Sequence, residues 1–208
     1  MRKLLVSAIL AVLFISQVNA QNIELPEAEK AGGMPLMEAL NNRTTVRSFQ
    51  TKDLTSQQLS NLLWAAFGIN RPDGKRTAPS ARNFQETDLY VLLKSGVYLY
   101  NASENRLDFV SNEDVRHLSG TQDFVKDAPV HIVLVADLTK IQGGSNQDKL
   151  YTANIDAGYI SQNIYLWCTS EKLGTGARGM VDKDALSPKL KLNSTQQIII
   201  AHSVGYIK

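Results

Sequence analysis

Apolar residues recur at helical spacing in some stretches of this 208-residue chain and gather into short unbroken runs in others, and the two patterns predict its elements. Pro35, followed by Leu36, Met37 and Leu40, opens a short helix leading to Arg43. The next helix has stronger signals: Thr55 and Gln58 stand at capping-box spacing, Leu59, Leu62, Leu63 and Ala66 share a face, and Gly68 is placed to stop it. Asn70 to Lys75, with Pro72 and Asp73-Gly74, reads as a loop. Leu89–Leu93, Val97–Tyr100 and Leu107–Val110 then read as a meander of short antiparallel strands. Val130–Ala136, apolar almost throughout, predicts a strand covered on both faces.

After Gly143-Gly144 comes the longest helix, Leu150 to Lys172, in which Ala153, Ala157, Ile160, Ile164 and Trp167 recur at helical spacing. Gly158 and Ser161 are small enough to admit another helix, so this element is either the domain centre or a dimer seam. A short helix over Asp184–Leu190 and a strand over Gln197–Val204 follow. Helices before, between and after the strands, without regular alternation, indicate an α+β domain.

The N-terminus changes the picture of location. Arg2 and Lys3, an apolar stretch from Leu4 to Ile15, and Val18-Asn19-Ala20 have the layout of a cleavable signal peptide over residues 1–20. The stretch is shorter than the roughly 20 residues a spanning helix needs, so no membrane span is expected after cleavage and the protein is expected to be exported, periplasmic or secreted. Residues 21–33 read as a poorly ordered leader and residues 34–208 as one domain. Of the 22 Lys and Arg residues two lie in the signal peptide, so the remainder balances the 20 Asp and Glu. A neutral mature chain gives no basic face for nucleic acid. Export permits disulfides, yet Cys168 is the only thiol and reads as a small buried hydrophobe. His117, His131 and His202 lack paired ligand spacing, so no metal site is expected.

The candidate chemistry lies in two segments. In RTTVRSF, Arg43 and Arg47 bracket Thr44 and Thr45, a set able to hold a phosphate through bidentate guanidinium contacts and hydroxyls; the other reading is a solvated helix end. In RTAPSARNFQ, Ser80 and Asn83 sit in a polar turn, and the Asn83 amide offers both donor and acceptor to the edge of a ring; the other reading is an ordinary capped turn. GTGARG, Gly174 to Gly179, spells a dinucleotide-binding signature but follows a helix rather than a strand, so it is read as a helix terminus whose glycines allow positive φ.

These two segments, with LLWAAFGINR, DAPVHIVLVAD, DAGYISQNIYLWCTSEKLGTGARG and HSVGYIK in this order, resemble the nitroreductase-like FMN oxidoreductases, especially the SagB-type azoline dehydrogenases. The resemblance covers nearly the whole mature chain. It implies an α+β nitroreductase-like fold with a mixed, mainly antiparallel sheet, a homodimer formed through long helices, and FMN at the interface. By position it implies that Arg43, Thr44, Thr45 and Arg47 hold the phosphate and ribityl end. Ser80 and Asn83 are then expected to meet the flavin from the neighbouring chain, and Arg178 and Gly179 to place backbone donors near N5 and O4. The implied activity is hydride transfer through flavin N5 to or from a small molecule, with no catalytic side chain assigned. NAD(P)H is the usual donor in such proteins but is scarce outside the cytoplasm, so another electron source is expected. An exported binding module that holds flavin or another planar ligand without turnover is the alternative. Two departures stand out: Arg82 replaces a glycine frequent after Pro-Ser-Ala, and the sequence stops at Lys208 where many relatives carry a tail, so weaker FMN binding or compensation by Lys208 is expected.

Overall fold

The computed structural model describes residues 21–208; the predicted signal peptide, residues 1–20, lies outside them. Seven strands form one sheet: β1 (Ile23–Glu24), β2 (Thr87–Leu93), β3 (Gly96–Asn101), β4 (Arg106–Ser111), β5 (Val130–Asp137), β6 (Leu173–Arg178) and β7 (Gln196–Tyr206). Their order is β1-β4-β3-β2-β5-β7-β6, and every neighbouring pair is antiparallel. The expected mixed sheet is therefore corrected to an antiparallel one. The cause is the place of β7. Strands β5 and β6 run the same way and are joined through helix α3 (Asn146–Ser170), but β7 returns between them and pairs with both.

The nearly continuous apolar character of β5, interrupted by His131, follows from burial on both faces. Val130, Ile132 and Leu134, with Leu89 and Val91 of β2, join the core beneath α3 and α2 (Ser56–Phe67). Val133 and Val135, with Tyr90 and Leu92, join a second core with Leu186 of α4 (Lys183–Lys189) and Val115. Period-two alternation thus divides each strand between two hydrophobic layers.

Caps define the helices as the sequence predicts for α2 and earlier than it predicts for α3. Thr55 and Gln58 form the expected capping box, and the Gly68 amide donates to the Trp64 carbonyl at 2.8 Å. For α3 the box is Ser145 with Asp148, which adds a polar first turn ahead of Leu150. Helix α1 (Leu36–Asn42) buries Ala39 and leaves Leu36, Met37 and Leu40 exposed.

Two expectations need correction. Residues 21–33 are not a poorly ordered arm. β1 pairs with β4, the Pro26 carbonyl accepts from Ser60 Oγ at 2.6 Å and Asn105 Nδ2 at 2.7 Å, and the Glu29 amide donates to Asn61 Oδ1 at 2.8 Å. GTGARG is not a helix terminus either: Gly174 and Gly176 lie inside β6, and the left-handed residue that follows α3 is Lys172 (φ 57°). The glycines serve close approach rather than a turn. A Cβ at Gly174 would stand 2.7 Å from Val46 Cγ1, and one at Gly176 2.7 Å from the Val46 carbonyl oxygen.

Candidate active site

Those glycines let the Arg43–Arg47 segment lie along the free edge of β6. The Val46 amide donates to the Thr175 carbonyl at 2.9 Å. Tyr165, on α3, fixes the segment from the other side. Its hydroxyl accepts from the Ala177 amide at 3.0 Å and lies 3.2 Å from Thr45 Oγ1, while the Arg43 guanidinium sits over its ring, 5.2 Å from the centroid. Thr44, Thr45 and Arg47 are exposed and Arg43 is half-buried. Among the described residues neither arginine has an ion-pair partner, so both cations are available to an anion. Beside them Thr44, Val46, Lys172 and Thr175 line part of a cleft of about 230 Å³. Lys208, the expected compensating cation, is instead paired with Asp127 at 2.8 Å.

Behind this edge lies a buried polar network. The His202 ring packs against Tyr165 (5.4 Å between centroids), with Nδ1 3.1 Å from Thr175 Oγ1 and Nε2 2.7 Å from Ser161 Oγ. Burial, then the Arg178 charge, lowers the His202 pKa to about 3, so the ring is neutral at physiological pH. Arg178 ends β6 with its side chain turned inward. It donates from Nε to the Ser119 carbonyl (2.7 Å), from Nη2 to Ser119 Oγ (2.6 Å) and from Nη1 to Ser203 Oγ (2.8 Å). Burial pushes its pKa down to about 10, still cationic at neutral pH. Gly179, the next residue, is exposed.

Ser80 and Asn83 occupy a separate place. Ser80 Oγ accepts the Gln85 amide at 3.0 Å, and Asn83 Oδ1 accepts from Gln85 Nε2 at 3.1 Å. The Ala81 amide donates to Asp156 Oδ2 on α3 at 2.8 Å. Arg82 is exposed, its guanidinium 5.4 Å from the centre of the Phe84 ring. Asp156 and Tyr165 lie nine residues apart on α3, which places them about 13 Å apart along the axis and on opposite faces. The chain therefore brings Arg43, Thr44, Thr45 and Arg47 to the edge of the strand that ends in Arg178, just before Gly179, and holds Ser80 and Asn83 elsewhere.

Sequence reasoning missed Tyr165, His202 and Asp156. Tyr165 had a signal, a polar-tipped residue at a half-buried helical position; the others are joined to their partners only by the tertiary fold. Cys168 is buried and its thiol pKa is pushed up by burial, which leaves no thiolate for nucleophilic chemistry. Among the described residues no group of three or more His, Cys, Asp or Glu side chains is arranged for a metal, and no helix is long and apolar enough to cross a membrane.

Residues 40–206 match the Nitroreductase family. The chain belongs to that family of oxidoreductases. A relative from Methanocaldococcus jannaschii, MJ1384, which carries a provisional nitroreductase name, is 27% identical over 184 residues, covering 84% of this chain and 91% of the relative. A crystal structure from Ralstonia eutropha JMP134, also provisionally named a nitroreductase, is 36% identical with a TM-score of 0.85 and 90% coverage of each chain. A Desulfovibrio desulfuricans structure of the same provisional name, solved in complex with FMN, shares the fold at 18% identity, with a TM-score of 0.62 and coverage of 85% of this chain and 88% of its own.

The geometry predicts the role of the Tyr165 hydroxyl in holding the nitroreductase-family edge segment. Tyr165→Phe removes both hydroxyl contacts and leaves the Ala177 amide without its acceptor, for an expected loss of about 1–2 kcal/mol in stability. Urea unfolding reads it directly, and a midpoint equal to the parent's would show that the hydroxyl does not hold the segment.

Proposed function

We propose that this nitroreductase-family protein is an FMN-dependent oxidoreductase, with Arg43, Thr44, Thr45 and Arg47 holding the phosphate and ribityl end of the cofactor. The observation that carries the reading is the pair of unpaired arginines with adjacent hydroxyls, fixed against β6 by Tyr165 and by the Val46 amide. A dianionic phosphate fits that donor set, since each guanidinium can offer parallel N–H groups to two oxygens. Bound FMN supplies hydride transfer at N5. The protein would supply position and charge, with the backbone at Arg178 and Gly179, at the end of β6, offering donors to the ring.

The same proposal makes the working unit a homodimer. Tyr151, Ile155 and Tyr159 form an exposed stripe on α3, and Leu36, Met37 and Leu40 are exposed on α1. Tyr165 follows Gly158 by seven residues, about two turns, and so lies on the face of that stripe. A second copy covering it brings its own Ser80 and Asn83 within the reach that one protomer lacks. The order of the six matching segments favours the SagB-type branch, and the exposed Arg82 favours a substrate with anionic character. The signal-peptide layout of residues 1–20 supports an exported protein, where NAD(P)H is scarce and a doubtful donor, and so favours oxidation of a substrate, with electrons passing to oxygen or a quinone.

An absorption spectrum of the purified mature protein tests the cofactor before any substrate is chosen. Flavin bands that remain after desalting are expected. Arg47→Ala is expected to weaken FMN binding by about 1–3 kcal/mol, roughly 5- to 150-fold, the range for a lost charge-assisted hydrogen bond. An unchanged dissociation constant would remove Arg47 from the phosphate site, and a colourless folded protein that refuses added FMN would remove the cofactor.

A further inference from the structure

Two carboxyl groups lie together beneath the turn that carries Ser80 and Asn83. Glu86, just before β2, is wholly enclosed, and Asp156, on the inward face of α3, is 3% exposed. Asp156 Oδ2 accepts the Ala81 amide, the contact that ties the turn to α3. The Glu86 carboxyl has the Thr87 hydroxyl 3.5 Å from Oε1 and its own backbone N–H as donors, and Oε2 has no donor among the described residues. The Asp156 carboxyl is within hydrogen-bonding reach of the Glu86 carboxyl, and two enclosed carboxylates so placed cannot both keep their charge cheaply. One proton between them removes the repulsion and gives Oε2 its missing partner. Burial first, then the charge and hydrogen bond of Asp156, raise the Glu86 pKa to about 7 against the opposing hydrogen bonds from its own backbone N–H and from Thr87.

The surrounding charged groups are engaged elsewhere. On β5 the Asp137 amide donates to the Glu86 carbonyl, but its carboxylate accepts from Thr139. On β2 Asp88 pairs with Lys140, while Arg76, reaching from the preceding loop, donates to Gln85 Oε1 and the Phe67 carbonyl. Arg82 lies over Phe84. The carboxyl pair thus has no cation to replace a lost proton. The turn above it is conformationally costly: Arg82, Asn83 and Gln85 all have left-handed φ values, 49°, 57° and 48°. Such a turn depends on its anchors.

We propose that Glu86 and Asp156 share a single proton and act together as the positioning pair for the Ser80–Asn83 turn, releasing it when that proton leaves. With Glu86 neutral, its O–H satisfies one Asp156 oxygen and leaves Oδ2 for the Ala81 amide. As pH rises through about 7 the pair gains a second negative charge, Asp156 is repelled, and the turn loosens. The consequence for cofactor binding rests on the reading of Ser80 and Asn83 as flavin-facing; the latch itself does not.

Nuclear magnetic resonance of the full mature chain tests it. The Glu86 carboxyl carbon and the Ala81 amide proton are expected to titrate with one midpoint near neutrality, and the FMN dissociation constant to rise roughly threefold or more between about pH 6 and 8. Glu86→Gln, neutral at any pH and still a donor, is expected to remove both dependences and to keep the low-pH values. Titration of Glu86 in the ordinary carboxylate range, or an Ala81 amide indifferent to it, overturns the latch, and both are read on the unaltered protein. If the amide follows Glu86 while FMN affinity stays flat, the latch stands and the placement of Ser80 and Asn83 against the flavin falls.

Discussion

Gly176→Val is expected to destabilise the fold by about 2–4 kcal/mol and to abolish retention of FMN through desalting. The added Cβ would stand 2.7 Å from the Val46 carbonyl oxygen, which is backbone and cannot swing aside. Retreat of the whole segment is blocked as well, because the adjacent Val46 amide is bonded to the Thr175 carbonyl of the same strand. Either that bond breaks or β6 shifts, and each outcome moves Arg43 and Thr45 away from Tyr165. The second methyl group of valine adds crowding near Thr45 Cγ2 and the Phe124 ring, 3.7 and 3.9 Å from the Cβ position. Gly179→Ala is the matched control for stability, since nothing lies within 4 Å of its Cβ position and its φ is not left-handed. Denaturant midpoints of the two variants should separate clearly. A Gly176→Val protein as stable as the Gly179→Ala protein would mean that the edge segment is free to move and does not depend on β6.

The contrast between β5 and β6 explains what the sequence made legible. Val130–Ala136 is buried on both faces, and such burial writes itself as a nearly continuous apolar run that needs no knowledge of the partners. The capping box at Thr55 and Gln58 is equally local. Gly174 and Gly176 are glycines because Val46, far away in the chain, passes over them, and no window around GTGARG contains that information. A long helix immediately before the motif made a helix terminus the natural reading. The leader was misread for a related reason: its polar composition suggested solvent, while its backbone groups are claimed by Ser60, Asn61 and Asn105. At the candidate site the cations and hydroxyls of RTTVRSF were legible as residue types, the kind that the proposed phosphate site would need. Tyr165, which orients them, was not, since its partners are fixed only by the packing of α3 on β6.

Arg178→Met is expected to cost about 2–4 kcal/mol, and Arg178→Lys to recover little of it. The guanidinium joins four parts of the molecule: the Ser119 carbonyl and hydroxyl, Ser203 on β7, His131 on β5, and the end of β6. Among the described residues no carboxylate pairs with it, so its burial is itself unfavourable and methionine relieves that part. The relief is outweighed by the acceptors left behind. Ser203 Oγ and His131 Nδ1 are 3.1 Å apart and can satisfy one another, whereas the Ser119 carbonyl and hydroxyl lose short bonds outright. Donation from Arg178 to His131 Nδ1 places the imidazole proton on Nε2, which has no acceptor among the described residues, so the ring is held at Nδ1, by the arginine and by Ser203 Oγ. Lysine keeps the charge but has one nitrogen where arginine has three, and it cannot serve Ser119 and Ser203 together. Urea unfolding at neutral pH is the measurement, with the slope as a check that the denatured state is unchanged. Recovery of the parent midpoint by lysine would show that the charge and not the fork of donors is what β6 requires, and a methionine variant of full stability would show that the network closes without it.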